Sequence, residues 1–286
     1  QAAHDGEGES LELIRPDLTN RSGQNWSASQ EGATPGRENS ATRDESEVAP
    51  LILDVSHSPL VPRSTEPVTI RARMTDTVSG ERSLTLFYRL STLNPGEFMS
   101  LTMSDDGLHS DGLAADGIFA VTLPAMEDQT IVEFYLSAND GINSRTWPTP
   151  ADVGQVANLH YQVDDVPGEG SEGIYRLIMT AAENRAFNRI DRDSNAQHNC
   201  TLVVDDCSGP VVRYLCGVRV RGASSRQDTP PPMRLNLPRD RTWNGESQLN
   251  LNTQFTWLQF IGMKLFQASD LPAPDSKRIA IRRNGE

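Results

Sequence analysis

The chain has 286 residues, 36% of them hydrophobic, with 18 Pro, 21 Gly and a formal net charge of −13. That length fits two or three ordinary domains, and the low apolar content with frequent turn formers fits short β-rich modules joined by linkers. No apolar run approaches the ~18 residues of a membrane span, and no signal peptide is expected in the stretch from Gln1 onward. Residues 1–170 carry 27 acidic against 10 basic side chains, which disfavours nucleic-acid binding by the whole chain, whereas residues 171–286 carry 16 basic and 12 acidic, which argues for a separate task. The first residue is Gln1 rather than Met, and the chain reads as a piece of a longer protein.

Residues 1–39 open with a short apolar strand, Ser10-Leu-Glu-Leu-Ile14, and continue through Asn/Gly/Ser turns with an isolated Trp26. The stretch is too short and too polar to fold alone, and a ragged amino terminus is expected. The residues S-L-E-L-I-x-P, N-W and T-P-G-x-x-N resemble the closing segment of a lamin-tail domain, an immunoglobulin-like sandwich. Residues 40–49 (SATRDESEVA) read as a polar linker.

From 50 to 165 seven β-type runs follow, Leu51–Val55, Val68–Met74, Leu84–Leu90, Phe98–Met103, Ile118–Leu123, Ile131–Ala138 and Leu159–Val163. Alternation such as Val68-Thr-Ile70-Arg-Ala72-Arg-Met74 predicts a two-sheet sandwich. Within it, the 104–117 loop packs three Asp-Gly pairs into a dozen residues. Tight turning is one reading, because Gly accepts positive φ and Asp caps its own turn. A calcium site built from Asp105, Asp106, Asp111 and Asp116 is the other, although the spacing is not that of an EF-hand and its terminal Glu is missing. Together with Phe87-Tyr88-Arg89 and Glu133-Phe134-Tyr135, this region resembles the immunoglobulin-like module that precedes CotH-type domains in bacterial surface proteins, which implies a spacer.

A second linker, 166–173, leads into 174–286. Ile174–Met179 reads as a strand, Thr180-Ala-Ala-Glu183 as a capping box opening a short helix to Ile190, and Thr201–Val204 as another strand. Val211–Arg221 is β-type, with Arg219 and Arg221 on one face and Val218 and Val220 on the other. Gly222-Ala-Ser224-Ser225-Arg226 bends the chain, and Met233–Leu237 brings in Arg234. Four guanidiniums and two hydroxyls on a strand–turn–strand unit suit phosphate oxygens, although alternating Arg is also what a solvated strand face shows. A helix from Thr253 to Ala268 carries apolar residues all round (Phe255, Trp257, Leu258, Phe260, Ile261, Met263, Leu265, Phe266), which predicts core packing. Arg278–Arg283 is the last strand.

The pattern G-V-R-V-R-G-x-S-S-R, R-L-N-L-P, W-N-G and L-N-L-N resembles the amino-terminal lobe of the spore-coat CotH kinase family, over about 110 residues from Ile174 onward. The resemblance implies a mostly β plus α+β chain: an immunoglobulin-like β-sandwich followed by an incomplete kinase-like small lobe of strands and two helices. It implies a secreted or cell-surface bacterial protein whose intact form uses ATP and Mg to phosphorylate protein Ser or Thr. Arg219, Arg221, Ser224, Ser225, Arg226 and Arg234 would hold phosphate. The family's catalytic acids lie in a larger lobe, so no catalytic role is carried over and the chain itself is expected to be inactive. Lys264 and Lys277 are the only lysines, and Pro230-Pro231-Pro232 stands where relatives carry a Lys pair. A non-catalytic adhesion scaffold with surface or coat-protein partners is the rival reading. A carbohydrate-binding accessory is a third, which exposed aromatics on 50–165 would favour. Cys200 and Cys207 flank a turn and would bridge in an exported protein; reduced thiols, with Cys216, are the alternative.

Overall fold

Period-two alternation sets the faces of the strands, as where Val68, Ile70, Ala72 and Met74 are buried and the residues between them are more exposed. The computed structural model describes residues 8–30, 32–76, 80, 82–150, 157–166, 173–205 and 209–286. β1 (Leu11–Leu13) and β2 (Trp26–Ala28) form a small antiparallel ladder. Two buried polar side chains organise this segment. Glu12 accepts from the Ser40 hydroxyl (2.9 Å), the Ala41 N–H (3.1 Å) and the Thr34 hydroxyl, and Asn25 bonds the Arg15 and Thr19 carbonyls. Hydroxyl and N–H donors, that of Thr34 foremost, hold the Glu12 carboxyl down at about 2. Residues 40–49 do more than link: Ala41 and Val48 are buried, and Val48 packs with Ile14, Leu18 and Leu51.

Eight strands follow: β3 (Leu51–Ser58), β4 (Val68–Thr75), β5 (Ser83–Leu90), β6 (Met99–Met103), β7 (Ile118–Leu123), β8 (Ile131–Asn139), β9 (Ser144–Trp147) and β10 (Leu159–Gln162). They make a three-stranded sheet, β3-β4-β7, and a five-stranded one, β10-β8-β5-β6, in which β9 pairs with the far half of β8. Ile52, Ile70 and Leu123 of the first share one core with Leu86, Phe134, Leu136 and Tyr161 of the second. Strand β9 carries no clean alternation, and sequence reading leaves it as loop.

The remaining elements are β11 (Ile174–Ile178), α1 (Ala181–Arg189), β12 (His198–Asp205), β13 (Pro210–Val220), β14 (Met233–Asn236), β15 (Gln248–Leu251), α2 (Thr256–Ala268) and β16 (Ala280–Arg283). The six strands order as β15-β14-β13-β12-β11-β16, with only β11–β16 parallel. Thr180 caps α1 by accepting from the Glu183 N–H at 3.1 Å. The expected reciprocal half is replaced, because the Glu183 carboxylate instead takes His198 Nδ1 at 2.5 Å.

The β11–β12 part of this sheet, with the start of β13, is covered on both faces, as its unbroken apolar runs require. Leu177, Leu202, Val218 and Leu235 pack with Phe187 of α1 and with Trp243. Ile178, Val203, Val212 and Tyr214 turn the other way and belong to the sandwich core. The buried His57 ring bonds the Tyr214 hydroxyl through Nδ1 and the Leu60 carbonyl through Nε2 (3.1 Å), and it stacks on Tyr161. Tyr214→Phe leaves His57 Nδ1 without its partner and should destabilise by about 1–3 kcal/mol. A urea-unfolding midpoint equal to wild type would show that this contact does not hold the two sheets together.

The sequence expectation for α2 is overturned. Its side chains are exposed, Phe255 by 71%, Leu258 by 69% and Trp257 by 55%, and no residue of the helix is buried. The physical reason is placement: the sandwich covers one face of β11, β12 and the start of β13, the opposite face packs on Phe187 and Trp243, and the open face of β13–β15 carries arginines, which offer an apolar helix no partner.

Candidate functional site

The Arg-rich unit forms as its alternation requires. In β13, Val218 and Val220 are fully buried, and Arg219 emerges on the opposite face. Pairing with β14 places Arg234 directly across from Arg219, and β15 continues the row with Asn250. Like charges at opposed positions repel. Arg221 lies two residues beyond Arg219, just past the strand end, and Arg226 comes back from the bend.

Gly222 makes that bend at φ +104°, and a Cβ there would meet the Ser225 hydroxyl at 2.2 Å. Only glycine satisfies both the backbone angle and the close approach. Ser224, Ser225 and Arg226 then form a 3-10 turn, Ser224–Gln227, with Ser224 exposed.

Neutral groups hold the guanidiniums. Asn195 Oδ1 accepts from Arg219 Nη1 at 3.1 Å and from Arg226 Nη2 at 2.6 Å. Arg226 also donates to the Arg192 and Ser194 carbonyls (2.9 and 3.0 Å), and Arg221 donates to Asn252 Oδ1 at 2.6 Å. Arg234 Nε is buried with no hydrogen-bond partner. Among the described residues none of the four forms an ion pair with a carboxylate. Burial pulls Arg219 below the ordinary guanidinium value, and Arg234, Arg226 and Arg221 push it the same way. The four cations therefore share one field. An anion with several oxygens would relieve their repulsion and give Arg234 Nε an acceptor.

The structure brings together all four arginines foreseen from sequence and sets Ser225 beside them. Sequence reasoning missed Asn195 and Asn252. Asn195 lies in the turn after α1, and only the sheet order carries it to the hairpin; Asn252 ends the L-N-L-N run and was visible there.

The acidic loop 104–117 lies in the sandwich, and each carboxylate is turned onto backbone N–H groups. Asp105 accepts from Asp116 and Gly117, Asp106 from Leu108, Asp111 from Asp106, Gly107 and His109, and Asp116 from Leu113 and Ile118. The Leu113 and Ile118 donors hold the Asp116 carboxyl below its ordinary value. Among the described residues no three His, Cys, Asp or Glu side chains group as metal ligands would.

Cys207 lies outside the described residues. Cys200 is free, and it is buried directly across the β12–β13 ladder from the equally free Cys216. Burial raises both thiols, Cys216 to about 12, and so disfavours the thiolate form of each. No helix of the described residues is long and apolar enough to cross a membrane. No protein-family model matches the chain, and no curated protein matches it.

Proposed function

We propose that the Arg219–Arg221–Arg226–Arg234 platform binds the phosphates of a nucleoside triphosphate, as the small-lobe part of a CotH-like atypical kinase in a modular extracellular or cell-surface bacterial protein. The observation that carries this reading is the cluster itself, four guanidiniums without a carboxylate partner among the described residues and one with a buried, unpartnered N–H. Phosphate fits these donors. Magnesium finds no grouped carboxylates among the described residues. Here the chain would bind and orient the triphosphate, while transfer to a protein Ser or Thr needs acids that this platform lacks. The exposed apolar surface of α2 is consistent with a larger lobe seated on it, and it equally suits the rival reading of a non-catalytic scaffold that grips surface or coat proteins.

Calorimetric titration of the chain with ATP, tripolyphosphate and inorganic phosphate tests the platform. ATP and tripolyphosphate should bind, more weakly as salt rises, and Arg219→Gln and Arg234→Gln should each weaken binding by about tenfold or more. These two are the informative positions, because Arg226 also fixes the backbone of 192–194. Unchanged affinity in both variants removes the phosphate assignment.

A further inference from the structure

Cys200 of β12 and Cys216 of β13 stand directly opposite each other in an antiparallel ladder. Residues so placed send their side chains to one face, with Cα atoms about 4.5–5.5 Å apart. A disulfide closes over Cα separations of about 4.4–6.8 Å, so register alone brings the two within reach. Both side chains enter the core that Leu202, Val218 and Phe187 share, and they are 0% and 1% exposed. The Cys216 thiol makes only weak bonds, to the Arg213 carbonyl at 3.3 Å and the Tyr214 carbonyl at 4.0 Å.

The pair sits where the ladder is interrupted. Between Cys200 and Leu202 the register shifts, so that Tyr214 and Leu215 both face Thr201, and Leu215 takes a left-handed φ of 56°. A bulge of this kind disrupts the ladder locally. A covalent link beside it would hold β13 in register just before Arg219. Cys207 is a poor rival for Cys200. Strand β12 runs extended from Cys200 to Asp205, about 16 Å at the rise of a strand. Two further residues span about 7 Å at most, so chain length alone keeps the Cα atoms of Cys200 and Cys207 about 9 Å apart or more. That exceeds the roughly 7 Å beyond which no disulfide closes.

We infer that Cys200 and Cys216 form a structural disulfide when the chain folds in an oxidising compartment. The oxidant is a small-molecule disulfide such as oxidised glutathione. One cysteine thiolate attacks a sulfur of that disulfide and releases one glutathione thiolate. The second cysteine thiolate attacks the protein sulfur of the mixed disulfide and releases the other. Two protein S–H bonds thus give one S–S bond, and two electrons and two protons pass to the oxidant, which ends as two thiols. Burial raises both thiols once the sheet is closed, so the exchange belongs to folding, and the finished core shields the bond from reductants.

The test refolds the reduced, urea-unfolded whole chain in mixed oxidised and reduced glutathione, then alkylates it in denaturant. The fully reduced chain presents 3 thiols to the alkylating agent. After refolding, mass spectrometry should find Cys200 and Cys216 unalkylated, and non-reducing peptide mapping should join them. Cys207→Ser, which removes the rival thiol, should keep the same bridge. Closing a loop of 15 intervening residues should lower the unfolding constant of the oxidised chain about a hundredfold below that of the reduced chain. Free thiols at Cys200 and Cys216 after refolding, a bridge from either to Cys207, or equal urea midpoints for the oxidised and reduced chains overturns the inference. None of these results bears on phosphate binding by the arginines.

Discussion

Asp164→Ala will destabilise the chain by about 3–5 kcal/mol, the range for removing one partner of a buried ion pair. Asp164 follows β10 and is 3% exposed. Its Oδ2 receives Arg176 Nε of β11 at 3.2 Å and Arg282 Nη1 of β16 at 3.1 Å, and its own N–H donates to the Pro62 carbonyl at 2.9 Å. One carboxylate thus ties the end of the sandwich to both strands of the parallel pair. Its removal strands the Arg176 guanidinium, which is 4% exposed, away from any counter-charge. Asp164→Asn keeps an acceptor and should lose less. Urea unfolding followed by circular dichroism measures both, and an Asp164→Ala midpoint within error of wild type would mean that water reaches Arg176.

Acidification should remove a comparable amount at each of two histidines. His57 and His160 are buried, and burial lowers each from 6.5 to about 4. The unfolded chain takes up protons near pH 6.5 and the folded chain only near pH 4. Between these values the unfolded state binds more protons, so stability rises with pH. Their contribution is complete above about pH 6.5 and is lost as pH falls toward 4, at roughly 3 kcal/mol per histidine. Glu12, held at about 2, loses its contribution only at lower pH, and the exposed His109, raised by its bond to Asp106, acts with the opposite sign. Comparing unfolding at about pH 7.5 and about pH 4.5 therefore reads the buried pair, less the opposite contribution of His109. His57→Gln should remove about half of the difference, and an equally steep dependence in that variant would place the acid sensitivity elsewhere.

Much of the strand framework was legible. Alternation in Val68–Thr75 and apolar runs such as Ile131–Asn139 located strands to within a few residues, because each face of a strand meets a different environment. Thr180 was readable as a cap because its hydroxyl acts within one turn. Helix α2 shows the limit. Its apolar residues predict burial, but burial depends on what stands opposite, and its own sequence says nothing of that. The contact of Asp164 with Arg282 spans 118 positions, and the strand order that creates it has no local trace. At the candidate site, the alternation of Arg219 and Arg221 with valines gave the face, and Gly222 gave the bend. The opposition of Arg219 to Arg234 is a matter of register, which the intervening Pro-rich turn decides.

The shared core of the sandwich and the six-stranded sheet bears on how such chains diversify. Ile178, Val203, Val212 and Tyr214 sit against Phe134 and Tyr161, so a recombination joint placed at 166–173 would separate surfaces shaped to each other. Grafting residues 174–286 behind an unrelated module would expose a sheet face with no water-compatible alternative. These two regions should therefore be inherited as a pair, with exchange of neighbours confined to positions outside them.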